Sequence, residues 1–152
     1  MNEALQNAIK EEFNLRRLKE KEKTDSSITV GFPVYDEKEV IAALDCLLDL
    51  RLSQGPIVKA FENETKEYMG MPHAIATSSG TTANTLALAS LMNLGMLEKG
   101  DEVIVPAATF SSVVSPIYQL GLKPVYVDVS SKDWFIDIGE IERAITSKTR
   151  VI

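Results

Sequence analysis

His73-Ala74-Ile75-Ala76-Thr77-Ser78-Ser79-Gly80-Thr81-Thr82-Ala83-Asn84 is the stretch on which the fold turns. It passes from a short apolar strand, His73 to Thr77, through the turn Ser78-Ser79-Gly80 into a helix that starts at Thr81 and runs to about Leu94. Leu86, Ala89, Ser90 and Asn93 are spaced along that helix, and Leu88, Leu91 and Met92 fill other faces. Apolar side chains nearly all round predict a buried helix. The alternation then repeats. Gly100-Asp101 turns into a strand over 102–106, and a loop and helix run from Ala107 to about Leu120 before Gly121 ends them. Pro124 to Val129 is the next strand, Asp137 opens a helix through Ile145, and Thr149-Arg150-Val151-Ile152 begins another strand. Strand and helix in this order predict an α/β fold, a mostly parallel sheet sandwiched by helices. The last strand breaks off at Ile152, short of the usual length of about five or six residues. The sheet is therefore expected to be incomplete and the chain to be a piece of a longer protein.

Upstream of His73 the pattern is helical. Leu5, Ile9 and Phe13 recur every four residues in an amphipathic helix over 2–23, which the polar Thr24-Asp25-Ser26-Ser27 should end. An N-terminal helical arm, residues 1–27, is thus set apart from the main body, residues 28–152. After Gly31-Phe32-Pro33, Asp36 suits the N-cap of a helix reaching about Leu50. Leu52-Ser53-Gln54-Gly55-Pro56 is a turn, and a further helix runs from about Ile57 to Met69, with Gly70 closing it.

Composition narrows the function. The 45% apolar and 25% charged content are those of an ordinary globular protein. No apolar run approaches the roughly 20 residues that span a bilayer, and the start lacks the layout of a secretory signal, so a cytoplasmic location without membrane partners is expected. Cys46 is the only cysteine, which excludes a disulfide framework. His73 is the only histidine and cannot build a metal site alone; packing or a backbone hydrogen bond is its expected role. A net charge of −6 argues against nucleic acid. The basic stretch from Arg16 to Lys23 alternates with glutamates and reads as a solvated helix face. A small phosphorylated ligand stays open, because backbone amides at a helix start hold an anion without net positive charge.

Two segments offer chemistry. At Ser78-Ser79-Gly80-Thr81-Thr82-Ala83-Asn84 a strand-to-helix turn gathers free N–H groups, the positive end of the helix dipole and two threonine hydroxyls. Gly80 allows close approach of an anion, and Thr81 and Thr82 can donate to phosphate oxygens. A phosphate cup and a plain Ser/Thr cap explain this local pattern equally well. It is neither a dinucleotide fingerprint, having one glycine, nor a P-loop, since no lysine follows. Pro106-Ala107-Ala108-Thr109-Phe110-Ser111-Ser112 lies just past the next strand, where open parallel sheets place ligands. Phe110 there can face a planar cofactor, or simply fill core. Asp133-Trp134-Phe135 reads as an exposed turn whose aromatics pack back on the domain.

Taken in order, Ser79-Gly80-Thr81 before a helix, Gly100-Asp101-Glu102-Val103-Ile104-Val105-Pro106, Thr109-Phe110, and Gly121-Leu122-Lys123-Pro124-Val125-Tyr126-Val127-Asp128 resemble the DegT/DnrJ/EryC1/StrS aminotransferases. These are the sugar-nucleotide branch of fold-type I pyridoxal-phosphate enzymes. The resemblance covers about residues 28–152, with Gly55-Pro56, Phe61-Glu62 and Tyr68-Met69-Gly70 also fitting. It implies that residues 28–152 are the N-terminal part of the large cofactor-binding domain, and that Gly80, Thr81 and Thr82 help hold the phosphate of pyridoxal 5′-phosphate or pyridoxamine 5′-phosphate. It implies that Phe110 stacks on the pyridine ring, and, more weakly, that Ser53-Gln54-Gly55 lies near the substrate. The family's Schiff-base lysine and its pyridine-nitrogen aspartate are expected beyond Ile152, so no catalytic residue is assigned. Asp128 belongs to an earlier strand ending, and Lys59, Lys66, Lys99, Lys123, Lys132 and Lys148 match no Schiff-base motif. The implied activity is amino transfer from an amino-acid donor to a nucleotide-linked keto-sugar by a homodimer, with this piece inactive alone. Ser115-Pro116-Ile117-Tyr118-Gln119-Leu120-Gly121-Leu122, with Ala83-Asn84, is similar to the branch that removes a sugar 3-hydroxyl using pyridoxamine phosphate. A non-catalytic phosphate-binding piece is the reading from a different class.

Overall fold

The computed structural model describes residues 1–21, 31 and 34–152. The expected break at Thr24–Ser27, the arm boundary at 27/28 and the Phe32-Pro33 turn lie outside the described residues. The chain divides into two compact units, Met1–Tyr68 and Met69–Ile152.

The first unit is helical. Helix α1 spans Glu3–Lys21, α2 Glu37–Leu48 and α3 Pro56–Met69. Asp36 caps α2 as its sequence predicts. Its carboxylate accepts from Lys38 N at 2.8 Å, while Glu39 reaches back to accept from Asp36 N at 2.7 Å, so two otherwise orphaned amides are satisfied. Helices α1 and α2 lie together through the Phe13 and Tyr35 rings, 5.7 Å apart edge to face, and a Lys10–Glu37 ion pair at 3.4 Å. Arg16, Arg17 and Lys19 are exposed, as a solvated face requires.

The second unit holds the sheet. Strands β1 (Glu102–Pro106), β2 (Lys123–Val127) and β3 (Thr149–Val151) are all parallel, in the order β2-β1-β3. Helix α4 spans Gly80–Asn93, α5 Ser111–Gln119 and α6 Ile138–Ala144. Successive strand residues face opposite sides, and central β1 is buried on both. Val103 and Val105 pack with Leu88, Leu97, Ile117 and Leu122 into the core under α4 and α5. Ile104 and Glu102 are buried on the opposite face. There Glu102 accepts from Thr146 Oγ1 at 2.6 Å and Lys123 Nζ at 3.0 Å, tying β1 to β2 and to the turn before β3.

Helices α4 and α5 end alike. Gly95 N donates to Met92 O and Met96 N to Leu91 O; Gly121 N donates to Tyr118 O and Leu122 N to Ile117 O. Both are Schellman closures, which need a left-handed residue, and Gly95 and Gly121 sit at φ 70° and 75°. The second closure buries Leu122 against Ile117 and delivers the chain into β2.

Several expectations are corrected. His73–Thr77 forms no strand and does not enter the three-stranded sheet. Apolar content favours a strand, but only a neighbouring ladder makes one. Helix α4 is not buried all round: Leu88 is buried, Leu91 and Met92 are packed against the core, and Leu86 and Leu94 are exposed. An apolar helix is buried only on the faces that something covers, and here α5 covers one. Trp134 and Phe135 do not pack back; each is 72% exposed, on a turn whose backbone is held by Ser130 N to Phe135 O and Trp134 N to Ser130 O. His73 is exposed rather than packed.

Candidate functional site

Each helix of the second unit runs back against its strand, so the N-termini of α4 and α5 lie toward the carboxyl ends of the strands. The turns that lead into β1 and β2 meet at the other end, where Gly100 N donates to Gly121 O at 2.9 Å. The carboxyl edge, with the N-termini of α4 and α5, is the one at which parallel sheets place ligands.

The α4 terminus is organised by hydroxyls. Ser79 is the N-cap, its Oγ accepting from Thr82 N at 3.2 Å. Thr82 Oγ1 shares hydrogen bonds with Ser79 Oγ at 3.0 Å and Ser78 Oγ at 3.1 Å. Thr77 Oγ1 donates to Ser79 O at 3.0 Å and braces the turn from the other side. Ser79 O takes the Ala83 amide, the first helical hydrogen bond. The amides of Gly80 and Thr81 point out of the helix start with no acceptor among the described residues, as the first amides of a helix must. A Cβ added at Gly80 would meet nothing within 4 Å. The turn therefore leaves two uncommitted donors beside open space. Thr81 and Thr82 differ: Thr82 is exposed with its hydroxyl shared, whereas Thr81 is half-buried and its hydroxyl is uncommitted among the described residues.

Phe110 is the N-cap residue of α5, extended at φ −75° and ψ 139°, and makes no side-chain capping bond. It is 73% exposed and fills no core among the described residues. The two helix starts are tied directly, Asn84 Nδ2 donating to Ser112 O at 3.4 Å. The sequence pattern did not single out this tie. Gly80, Thr81, Thr82 and Phe110 thus share one end of one unit. Ser53-Gln54-Gly55 is exposed in the first unit. Lys99, Lys123 and Lys148 cluster at the amino ends of the strands: Lys99 lies beside Gly121 and Lys123 pairs with Glu102. Among the described residues no three of His, Cys, Asp and Glu gather into a metal-holding group, and no helix is long and apolar enough to cross a membrane.

Known proteins match this chain closely. It is 42% identical over 123 residues to the lipopolysaccharide biosynthesis protein RfbH of Salmonella typhimurium, covering 78% of this chain and 28% of that protein. Its fold overlays the E. coli GDP-4-keto-6-deoxy-D-mannose-3-dehydratase, solved with bound hydrated PLP, at a TM-score of 0.71 and 33% identity, over 81% of this chain and 32% of that one. The PMP form of a putative sugar aminotransferase, Spr1654 from Streptococcus pneumoniae, overlays at 0.69 and 34% identity, over 80% and 30%. The chain spans about a third or less of the length of each of these relatives. The family model of the DegT/DnrJ/EryC1/StrS aminotransferases matches residues 33–152. The chain therefore belongs to the DegT/DnrJ/EryC1/StrS aminotransferase family.

Proposed function

We propose that this chain forms the phosphate- and ring-binding edge of a pyridoxal-phosphate-dependent enzyme acting on a nucleotide-linked sugar. The observation that carries the reading is the pair of uncommitted amides at Gly80 and Thr81, beside open space, on a helix start that shares its end of the sheet with an exposed Phe110. The amides of Gly80 and Thr81 and the hydroxyl of Thr81 donate to the phosphate, and the α4 dipole favours its negative charge. The hydroxyl of Thr82, held between Ser78 and Ser79, sets the shape of the turn and adds a donor. Phe110 covers one face of the ring and keeps water from it. When bound, the cofactor supplies an electron sink for negative charge at the carbon next to the transferred nitrogen. Lys99, Lys123 and Lys148 stand at the amino ends of the strands, away from this edge.

Amine transfer from an amino-acid donor, within a cytoplasmic homodimer, is the first form of this activity. Removal of a sugar 3-hydroxyl with pyridoxamine phosphate is the second, favoured by Ala83-Asn84 together with the Pro116 segment and by the dehydratase among the similar structures. The residue at the cofactor-linking position of the longer protein separates them: lysine for transfer, histidine for dehydration.

Titration with pyridoxal 5′-phosphate and with pyridoxal, which lacks the phosphate, tests the site. Thr81→Val is expected to weaken pyridoxal 5′-phosphate by about ten- to a hundredfold, the range for hydrogen bonds to charged groups, and to leave pyridoxal unchanged. Phe110→Ala is expected to weaken both by about two- to tenfold. Equal affinity of the unaltered protein for the two compounds would remove the phosphate cup.

A further inference from the structure

Pro116 lies inside α5 and is buried beside Ile117. Its nitrogen carries no hydrogen, so the carbonyl four residues earlier, Ser112 O, loses its helical donor. Asn84 Nδ2 donates to that same oxygen at 3.4 Å. The bond is long, so it contributes placement more than strength. Unlike the two side-chain bonds that end on Glu102, this one lies at the carboxyl edge of the sheet. It joins the start of α4, which carries Gly80 and Thr81, to the first turn of α5, which carries Phe110 at its N-cap.

Resting on the cofactor-site reading above, we propose that Asn84 is a positioning residue for the cofactor ring. Its amide supplies the donor that Pro116 withholds, and in doing so fixes the Phe110 turn against the anion-binding turn. Two features of the sequence, 32 positions apart, become one device: a proline that opens a carbonyl and an asparagine that closes it. A donor from the helix itself would satisfy Ser112 without linking the helices. Replacing it with a side chain of α4 makes the same hydrogen bond set the spacing between phosphate and ring.

The test uses the full-length protein carrying this chain. Asn84→Ala is expected to weaken pyridoxal 5′-phosphate about two- to fivefold, the size of one weak hydrogen bond and no more than the loss of Phe110 itself. In a Phe110→Ala background the same change is expected to cost less than about twofold, because residues acting through one another are not additive. Asn84→Asp, equal in shape but without the donor and with a negative charge added near the anion-binding turn, should lose at least as much as Asn84→Ala. Equal losses with and without Phe110, or no loss at all, would overturn ring positioning. A second arm needs no cofactor: Asn84→Ala should lower the thermal unfolding midpoint when Pro116 is present and have little effect in Pro116→Ala, whose restored N–H serves Ser112. Equal shifts in both backgrounds would overturn the donor replacement. An unaltered protein with no affinity for pyridoxal 5′-phosphate would bring down the site reading, and ring positioning with it, while the thermal arm still judged the Asn84–Pro116 pairing.

Discussion

Glu102 shows how one side chain connects sequence, packing and pH. It is the buried charged residue of the second unit among the described residues, and a buried carboxylate needs partners. The Thr146 hydroxyl and then the Lys123 ammonium hold its carboxyl below the usual glutamate range. A carboxyl depressed in the folded state stabilises the fold above its unfolded value, and that contribution is lost as pH falls through the folded value. Glu102→Gln is therefore expected to lower the denaturant midpoint at neutral pH, with the gap to the unaltered chain closing on acidification below the ordinary glutamate range. Lys123 is 65% exposed, so solvent screens the pair and the gap should be modest. A gap that stays constant down to the acid limit would show that charge plays no part. The sequence placed Glu102 on a strand but gave no sign of its burial, since its partners come from two segments 21 and 44 residues away. The start of α4 was more legible, because a serine cap and the residues of one turn act locally. The difference between Thr81 and Thr82 was not, for it depends on which hydroxyl the two serines reach.

Helix ends were the most legible elements, and their chemistry is local. Gly121 falls where the sequence reading ends the helix, and both it and Gly95 adopt the left-handed conformation a Schellman closure needs. Gly121→Ala should destabilise the second unit by about 1–2 kcal/mol, the cost of a left-handed residue with a Cβ, read as a lower denaturant midpoint with unchanged slope. The new methyl would also meet Lys99 Cγ at 3.3 Å, a flexible neighbour that can yield. A neutral substitution would mean that this turn relaxes away from positive φ. The His73–Thr77 strand was misread for the opposite reason. Strand formation depends on a neighbour far along the chain, and no periodicity within five residues reveals whether one is at hand. The α4 error has the same origin, since apolar content states what a helix can bury and not what covers it.

At the scale of the whole chain, burial is uneven, and this predicts where these 152 residues open first. Every fully buried residue among the described ones lies in the second unit, and most belong to β1 or to the segments packed on it. Among the described residues the helices of the first unit carry no buried one, so they rest on capping, surface ion pairs and half-covered contacts, each worth little alone. Local opening costs least where few apolar contacts must be broken. In native-state hydrogen exchange the amides of Val103 to Val105 should be the slowest, with those of α5 beside them, and the amides of α1 to α3 should exchange markedly faster. Cooperative protection of α2 or α3 equal to that of β1 would contradict this ranking, and would mean that the first unit gains its stability from burial these contacts do not reveal. The same ranking bears on the site. Gly80, Thr81 and Phe110 stand at the open ends of helices anchored in the core through Leu88, Ile117 and Leu122, so the proposed binding edge is exposed while its placement rests on the most stable part of the chain.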